Sequence, residues 1–174
     1  MILAIDPGTN CLGYAIFTKE GNLLKAGSIK PVKAAGSDRR AKSISIVSSL
    51  LTIASEYAIM LLAIEEPLLR GVANKAMERL LGMLELQFLK VPINYYAPMT
   101  IKATMGSGSY DKEDMFNALK KLFPKNALIT SLKGDFDAID AICAGITYFN
   151  KSAGIKVKFK KKQNKKQRKK GCNK

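Results

Sequence analysis

Apolar residues near the start of the chain fall into three short runs that are separated by turn residues. The runs are Leu3–Ile5, Tyr14–Thr18 and Leu23–Ile29. The first ends at Asp6 and is broken by Pro7 and Gly8, and a Glu-Gly-Asn turn separates the second from the third. Short apolar runs between such breaks are typical of strands joined by tight turns. The pattern predicts an antiparallel meander of three strands.

The remainder of the chain alternates between helical and strand patterns. Apolar positions repeat at helical spacing from about Arg39 to Tyr57, and Ile59–Ile64 is a continuous apolar run typical of a strand buried on both faces. Helices are also predicted over about 72–89, from Pro98, over 111–123 and over 135–150, with a strand over 91–96. The order predicts an α/β fold with a central, mixed five-stranded sheet flanked by helices.

Positive charge is spread unevenly along the chain. The net charge is +15, and 11 of the 29 basic residues lie between Lys156 and Lys174, where there is no acid. The other 155 residues hold 18 basic and 14 acidic residues. We therefore expect one domain over residues 1–153 and a basic, disordered tail over 154–174. The tail is interpreted either as a phosphate-binding arm or as a solubility or targeting segment.

The composition excludes several classes of chemistry. The chain has no histidine, which removes His-based triads, His general bases and His-bearing zinc sites. Its three cysteines are odd in number and far apart, which favours a reducing compartment over a disulfide framework. No apolar run reaches membrane-spanning length, and the start lacks the pattern of a secretory signal. We expect a cytoplasmic protein without a membrane partner or a small-molecule cofactor.

Acidic residues follow two of the predicted strands and lie on the last helix. Asp6 closes the first strand, Glu65 and Glu66 close the buried one, and Asp137 and Asp140 share one side of the helix. Strand ends and adjoining helix ends form the usual ligand crevice of an α/β sheet. Clustered carboxylates repel one another unless a cation lies between them, and oxygen ligands suit Mg²⁺ or Mn²⁺. The pattern predicts a site for two such ions.

Each acid also has a simpler interpretation. Asp6 before Pro-Gly is a common turn residue, and Glu65 with Glu66 suits a solvated strand end. Asp135 and Asp137 suit the N-terminus of the last helix, where carboxylates are favoured. The metal-site hypothesis gains its weight from the combination of these positions rather than from any single one.

Three segments resemble motifs of the RuvC family of Holliday junction resolvases. The first is Ala4–Ala15, which contains Ile-Asp-Pro-Gly and then Gly-Tyr after four residues. The second is Ala63–Glu66, and the third is Asp137–Ala141 with its two aspartates three apart. Tyr96–Pro98 followed by Lys102 is similar to the segment between them. The resemblance covers about residues 1–150.

The resemblance implies a ribonuclease H-like fold and a homodimer that nicks four-way DNA junctions symmetrically with Mg²⁺, in DNA recombination and repair. Asp6, Glu65, Asp137 and Asp140 correspond to the metal ligands, with Glu66 as the alternative to Glu65. Lys102 and Lys112 correspond to basic residues that hold the DNA backbone or stabilise charge at the cut phosphate. Arg70 and Lys75 are further candidates for DNA contacts.

The chain departs from the bacterial pattern in two places. The segment Pro67–Arg70 lacks the aromatic residue that follows the second acid in bacterial members, and the basic tail is unusual. Both favour a phage-type or otherwise divergent member with a looser sequence preference. Two other functions stay open: a resolvase-like ribonuclease acting on structured RNA, and a catalytically silent nucleic-acid-binding module of the same fold.

Overall fold

A computed structural model describes residues 1–67, 74–124 and 126–154. The strands are β1 (Ile2–Asp6), β2 (Leu12–Phe17), β3 (Leu23–Ile29), β4 (Leu61–Glu65) and β5 (Ile93–Tyr96). The helices are α1 (Arg39–Ala54), α2 (Asn74–Gln87), α3 (Pro98–Met105), α4 (Lys112–Leu122), α5 (Ala127–Ser131) and α6 (Phe136–Lys151). None of the helices within these ranges is long and apolar enough to cross a membrane.

The five strands form one mixed sheet in the order β3-β2-β1-β4-β5. The β1–β2 and β2–β3 pairs are antiparallel, whereas β1–β4 and β4–β5 are parallel. This arrangement confirms the predicted meander and the mixed five-stranded sheet. Because β1 and β4 are parallel neighbours, their carboxyl ends lie side by side at one edge of the sheet.

Side chains of alternate strand residues pack into two separate layers. The larger apolar residues, such as Leu3, Ile5 and Leu62, face α1 and α2. The opposite face carries alanine at the centre of three strands (Ala4, Ala15 and Ala63) and packs against α6 with α3 and α4 beside it. The small side chains on this face allow α6 to lie close to the sheet.

Two glycines mark the closest approach between α6 and β2. A Cβ atom at Gly13 would collide with the backbone carbonyl of Asp137, and one at Gly145 would collide with the ring of Phe17. Neither contact leaves room for a larger residue without a shift of the helix. Helix α6 therefore lies close to the sheet from its first turn to beyond its middle.

The structure differs from the predicted elements in several details. Strand β4 begins at Leu61 rather than at Ile59, and a short 3-10 turn, Lys33–Ala35, interrupts the predicted loop. Helix α5 was not predicted; the side chain of Asn126 caps it by accepting hydrogen bonds from the backbone N–H groups of Leu128 and Ile129. Predictions for the tail beyond residue 154 and for the predicted helix start at Val72 lie outside the described residues.

Candidate active site

Asp6 and Glu65 lie at the carboxyl ends of adjacent parallel strands. The register pairs Ile5 with Ile64, so each acid follows directly after a paired residue. Neighbouring strands are about 4.8 Å apart, which brings the two backbones close at this edge. Both side chains follow the alternation of Ala4 and Ala63 and therefore face α6. Both are partly buried.

The first turns of α6 bring two more aspartates to the same edge. Asp135 caps the helix, since its carboxylate accepts a hydrogen bond of 3.2 Å from the backbone N–H of Ala138. Asp135 is therefore a helix cap, the simpler of the two interpretations of this residue. Asp137 and Asp140 belong to the helix itself and lie on the same side of it. The tight contact between Gly13 and the backbone of Asp137 positions this end of α6 over β2.

Burial and mutual repulsion raise the pKa of three of these carboxyls. Desolvation, followed by the charges of Asp140 and Asp137, raises the pKa of Asp6 to about 7. Desolvation, followed by the charges of Asp6 and Asp140, raises the pKa of Glu65 to about 8. The pKa of Asp140 rises to about 6, mainly by desolvation. The four acids therefore form one electrostatically interacting cluster.

Two lysines from separate helices partly offset this negative charge. Lys112 lowers the pKa of Asp6, Glu65 and Asp140, and Lys102 lowers that of Glu65 and Asp140. Lys112 lies in the first turn of α4, and its Nζ is 5.2 Å from the centre of the Phe136 ring. A cleft of about 290 Å³ is lined by Glu65, Pro98, Ile101, Lys102, Lys112, Met115 and Asp140. Both lysines named from the sequence thus lie beside the acids.

Glu65 and Glu66 point to opposite faces of the sheet. Glu66 is exposed and lies near Tyr95, whose hydroxyl donates a 2.6 Å hydrogen bond to Glu85 on α2. Burial and Glu85, with a smaller contribution from the charge of Glu66, raise the pKa of Tyr95. Glu65 instead interacts with Asp6 and Asp140. The alternation of side chains along a strand explains why only one of two neighbouring glutamates enters the cluster.

One residue that was not predicted also borders the acids. Cys11 is partly buried and lines a cleft together with Asp137. Burial, followed by the interaction with the Asp137 carboxylate, raises the pKa of the thiol to about 11. Only its position within the first motif, between Asp6 and Gly13, hinted at this contact. Among the other predicted DNA contacts, Lys75 is exposed in the first turn of α2, and Arg70 lies outside the described residues.

The four acids supply the oxygen ligands that a hard cation prefers, but their side chains do not converge as a metal site. All four predicted ligands supply carboxylate oxygens, which Mg²⁺ and Mn²⁺ prefer. Within the part of the chain that the structure describes, no three Asp, Glu or Cys side chains converge as a ready-made metal site. The carboxylates are therefore neighbours that do not meet at one point.

Sequence comparisons match most of the chain to one family. The family model described as "Crossover junction endodeoxyribonuclease RuvC" matches residues 2–148. Curated relatives with that name include one from Rickettsia bellii, which is 29% identical over 158 residues (84% of this chain and 95% of the relative). Another, from Citrifermentans bemidjiense, is 29% identical over 168 residues (92% and 98%).

Solved structures with the same fold include two resolvase complexes. "T. thermophilus RuvC in complex with Holliday junction substrate" gives a TM-score of 0.66 at 21% identity, covering 88% of this chain and 96% of that one. A fowlpox virus resolvase with substrate Holliday junction DNA gives a TM-score of 0.59 at 14% identity, covering 86% and 99%. The likeness confirms the ribonuclease H-like architecture. By the match over residues 2–148, the chain belongs to the RuvC family of crossover junction endodeoxyribonucleases.

Proposed function

We propose that this protein resolves Holliday junctions, and related branched DNA, by metal-dependent hydrolysis of phosphodiester bonds. The observation that carries the proposal is the cluster of four interacting acids, drawn from three distant segments, with two lysines beside it. Membership of the RuvC family and the junction substrates of the related structures support the same assignment.

The four carboxylates are the groups that would hold the metal. Asp6, Glu65, Asp137 and Asp140 supply only oxygen ligands, and we propose two Mg²⁺ ions per site, with Mn²⁺ able to replace them. When bound, such ions lower the pKa of water and stabilise negative charge on a leaving oxygen. Desolvation by burial, followed by repulsion from neighbouring carboxylates, raises the pKa of Asp6 to about 7 and that of Glu65 to about 8, and a bound cation would offset both effects.

Lys102 and Lys112 would hold the DNA phosphate at this cluster. A phosphodiester approaching four carboxylates meets strong repulsion, and two ammonium groups at the rim of the cleft reduce it. Their placement on α3 and α4, opposite the strand ends, leaves the cleft between them open to a DNA strand. We assign both lysines to binding and orienting the backbone near the cut bond.

Symmetric nicking of a junction requires two active sites, so we propose a homodimer. Each chain has one acid cluster, and a twofold axis would present two clusters in opposite orientation to the two arms. Leu86 and Leu89, near the end of α2, are 61% and 75% exposed. These side chains offer an apolar surface on which a second copy would bury area.

The decisive experiment is cleavage of labelled static four-way junctions, forks, linear duplex and structured RNA with Mg²⁺, with both nicks mapped. Paired, symmetric nicks in the junction are expected, and excess chelator should stop them while binding persists. Preferential cleavage of RNA would favour the ribonuclease alternative. Binding without cleavage under Mg²⁺ and Mn²⁺ would favour the silent module, and cleavage in excess chelator would contradict the metal site.

A further inference from the structure

A second cleft lies on the other side of the turn that follows Asp6. It has a volume of about 360 Å³ and is lined by Thr9, Asn10, Ser37, Arg39, Lys42 and Ala76. The lining combines two hydroxyls, one amide and two cationic groups. None of these residues belongs to the acid cluster or to the cleft beside Lys102.

Arg39 and Lys42 present their charge on one side of α1. They are three residues apart, which places both side chains on the same face of the helix. The one ion pair among the described residues is between Lys25 and Glu56. The residues outside the described ranges include no Asp or Glu side chain.

Asp38 is the nearest acid in sequence, but its carboxylate has another role. It caps α1 by accepting a 2.8 Å hydrogen bond from the backbone N–H of Arg40, and it does not line the cleft. The two cationic side chains therefore face the cleft without a carboxylate partner among the described residues. An anionic ligand would supply that partner.

The turn after β1 links this cleft to the acid cluster. Thr9 and Asn10 follow Asp6 by three and four residues, and the turn is tight, because a Cβ at Gly8 would collide with the backbone carbonyl of Cys11. Three residues of extended chain span at most about 11 Å. Nucleotides advance about 3.4 Å along the duplex axis, so this span corresponds to roughly three of them.

We propose that this cleft binds a backbone phosphate of the DNA arm, within about three nucleotides of the cut bond. Arg39 and Lys42 provide the charge, and Thr9, Asn10 and Ser37 provide neutral hydrogen-bonding groups for the phosphate oxygens. The inference rests on the proposed action on branched DNA. It adds a phosphate site on the α1 side of the sheet edge, separate from Lys102 and Lys112.

A charge-matched pair of double variants tests the site. Arg39→Gln with Lys42→Gln removes the two cations of the cleft. Lys33→Gln with Arg40→Gln removes two exposed cations from the same stretch of chain that do not line it. Binding to a static four-way junction is measured across a salt series without divalent ions, so the result does not depend on cleavage.

The cleft variant should bind the junction about tenfold more weakly and lower the slope of log K against log salt by roughly 0.9, the value for one phosphate contact. The control variant should change the slope by much less. An unchanged slope in the cleft variant, or an equal change in both variants, overturns the proposal. Failure of the wild-type protein to cut any junction with Mg²⁺ or Mn²⁺ would instead contradict the proposed function and leave this binding result intact.

Single methylphosphonates, which lack the phosphate charge, then locate the contact. One position within about three nucleotides of the cut should weaken wild-type binding and have little further effect on the Arg39→Gln, Lys42→Gln variant. If every methylphosphonate weakens both proteins equally, the cleft does not bind a phosphate in this region. This double-mutant cycle separates a direct contact from a general loss of charge.

Discussion

In the acid cluster, burial and neighbouring charges raise the pKa of Asp6, Glu65 and Asp140. Glu65 shows the effect most strongly, because desolvation and the charges of Asp6 and Asp140 act on it in the same direction. Glu66, one residue later, is exposed on the other face. The two glutamates are neighbours at one strand end but differ in exposure, so a substitution of Glu66 is a matched control for the same substitution of Glu65.

Replacement of any one acid by its amide should stop cleavage. We expect Asp6→Asn, Glu65→Gln, Asp137→Asn and Asp140→Asn each to lower the cleavage rate by about 1000-fold, because removal of a metal ligand costs several kcal/mol of transition-state stabilisation. Junction binding, measured in chelator, should persist or strengthen, since negative charge is removed. Glu66→Gln is the control and should cut at nearly the wild-type rate. An active Glu65→Gln with an inactive Glu66→Gln would reverse this assignment.

The raised pKa of Glu65 also predicts a pH-dependent cost in stability. The ordinary value of 4.5 rises to about 8 in the folded protein, so the unfolded chain releases this proton first as pH increases. In chelator, the Glu65 carboxyl therefore does not change the free energy of unfolding below about pH 4. As pH rises from there towards 8, it lowers the free energy of unfolding.

The Glu65→Gln variant should escape that decrease in stability. At pH 8 in chelator we expect it to be more stable than the wild type by about 2 kcal/mol, after allowing for solvent screening, with little difference at pH 4. Chemical denaturation at both pH values measures the change. Glu66→Gln should gain less, because its carboxylate lies outside the cluster. An advantage for Glu65→Gln that is equal at pH 4 and pH 8 would contradict the raised pKa.

At the scale of elements, the site depends on how closely α6 approaches the sheet. The centre of this face carries alanines, and Gly13 contacts the backbone of Asp137 directly. A bulkier residue in the sheet would push the helix outward together with Asp137 and Asp140. Gly13, the glycine of the Gly-Tyr pair in the first motif, thus has a packing role.

Gly13→Ala should therefore reduce both stability and activity. The added methyl group has no space, and overpacking of this kind costs about 1–3 kcal/mol. A displacement of Asp137 by about 1 Å would lower the cleavage rate by about 100-fold. Gly82→Ala on α2 is the control, since a Cβ there meets nothing within 4 Å, and it should gain about 0.5–1 kcal/mol. Urea unfolding and single-turnover cleavage compare the two; wild-type behaviour of Gly13→Ala would show that the close approach tolerates a methyl group.

At the scale of the whole molecule, the positive charge of the tail should act on affinity rather than on chemistry. Residues Lys156–Lys174 hold 11 basic residues and no proposed metal ligand. Truncation after Ala153 should flatten the dependence of log K on log salt, by roughly 0.9 for each DNA phosphate that the tail neutralises. Cleavage at saturating protein and the preference for junctions over duplex should remain. An unchanged salt slope would favour the solubility or targeting interpretation of the tail.

The proposed dimer makes a separate whole-molecule prediction. Leu86→Glu with Leu89→Glu places two charges on the exposed apolar surface near the end of α2 and should produce monomers in sedimentation experiments. Junction cleavage should then yield single nicks in place of paired ones. Leu24→Glu, at an exposed apolar position on β3, is the control and should remain dimeric. A double variant that still forms dimers would place the interface elsewhere.

The sequence alone determined the order of the elements and which residues are proposed for the site. Period-two and helical patterns are local, so the five strands, most helices and the strand-end positions of Asp6 and Glu65 follow from them. Asp137 and Asp140 are three residues apart, and this spacing likewise placed both on the same side of the helix. Helix α5 escaped prediction because it is only one turn long and depends on the cap from Asn126.

Tertiary structure decided which side chains meet. The choice of Glu65 over Glu66 depended on which face of β4 turns towards α6, and the approach of Lys102 and Lys112 depended on how α3 and α4 pack beside it. Cys11 lies near Asp137, and Asn10 lines the same cleft as Arg39. Both pairs join residues that are distant in sequence. Periodicity specifies a residue's direction within its own element, whereas these neighbours are set by packing between elements distant in sequence.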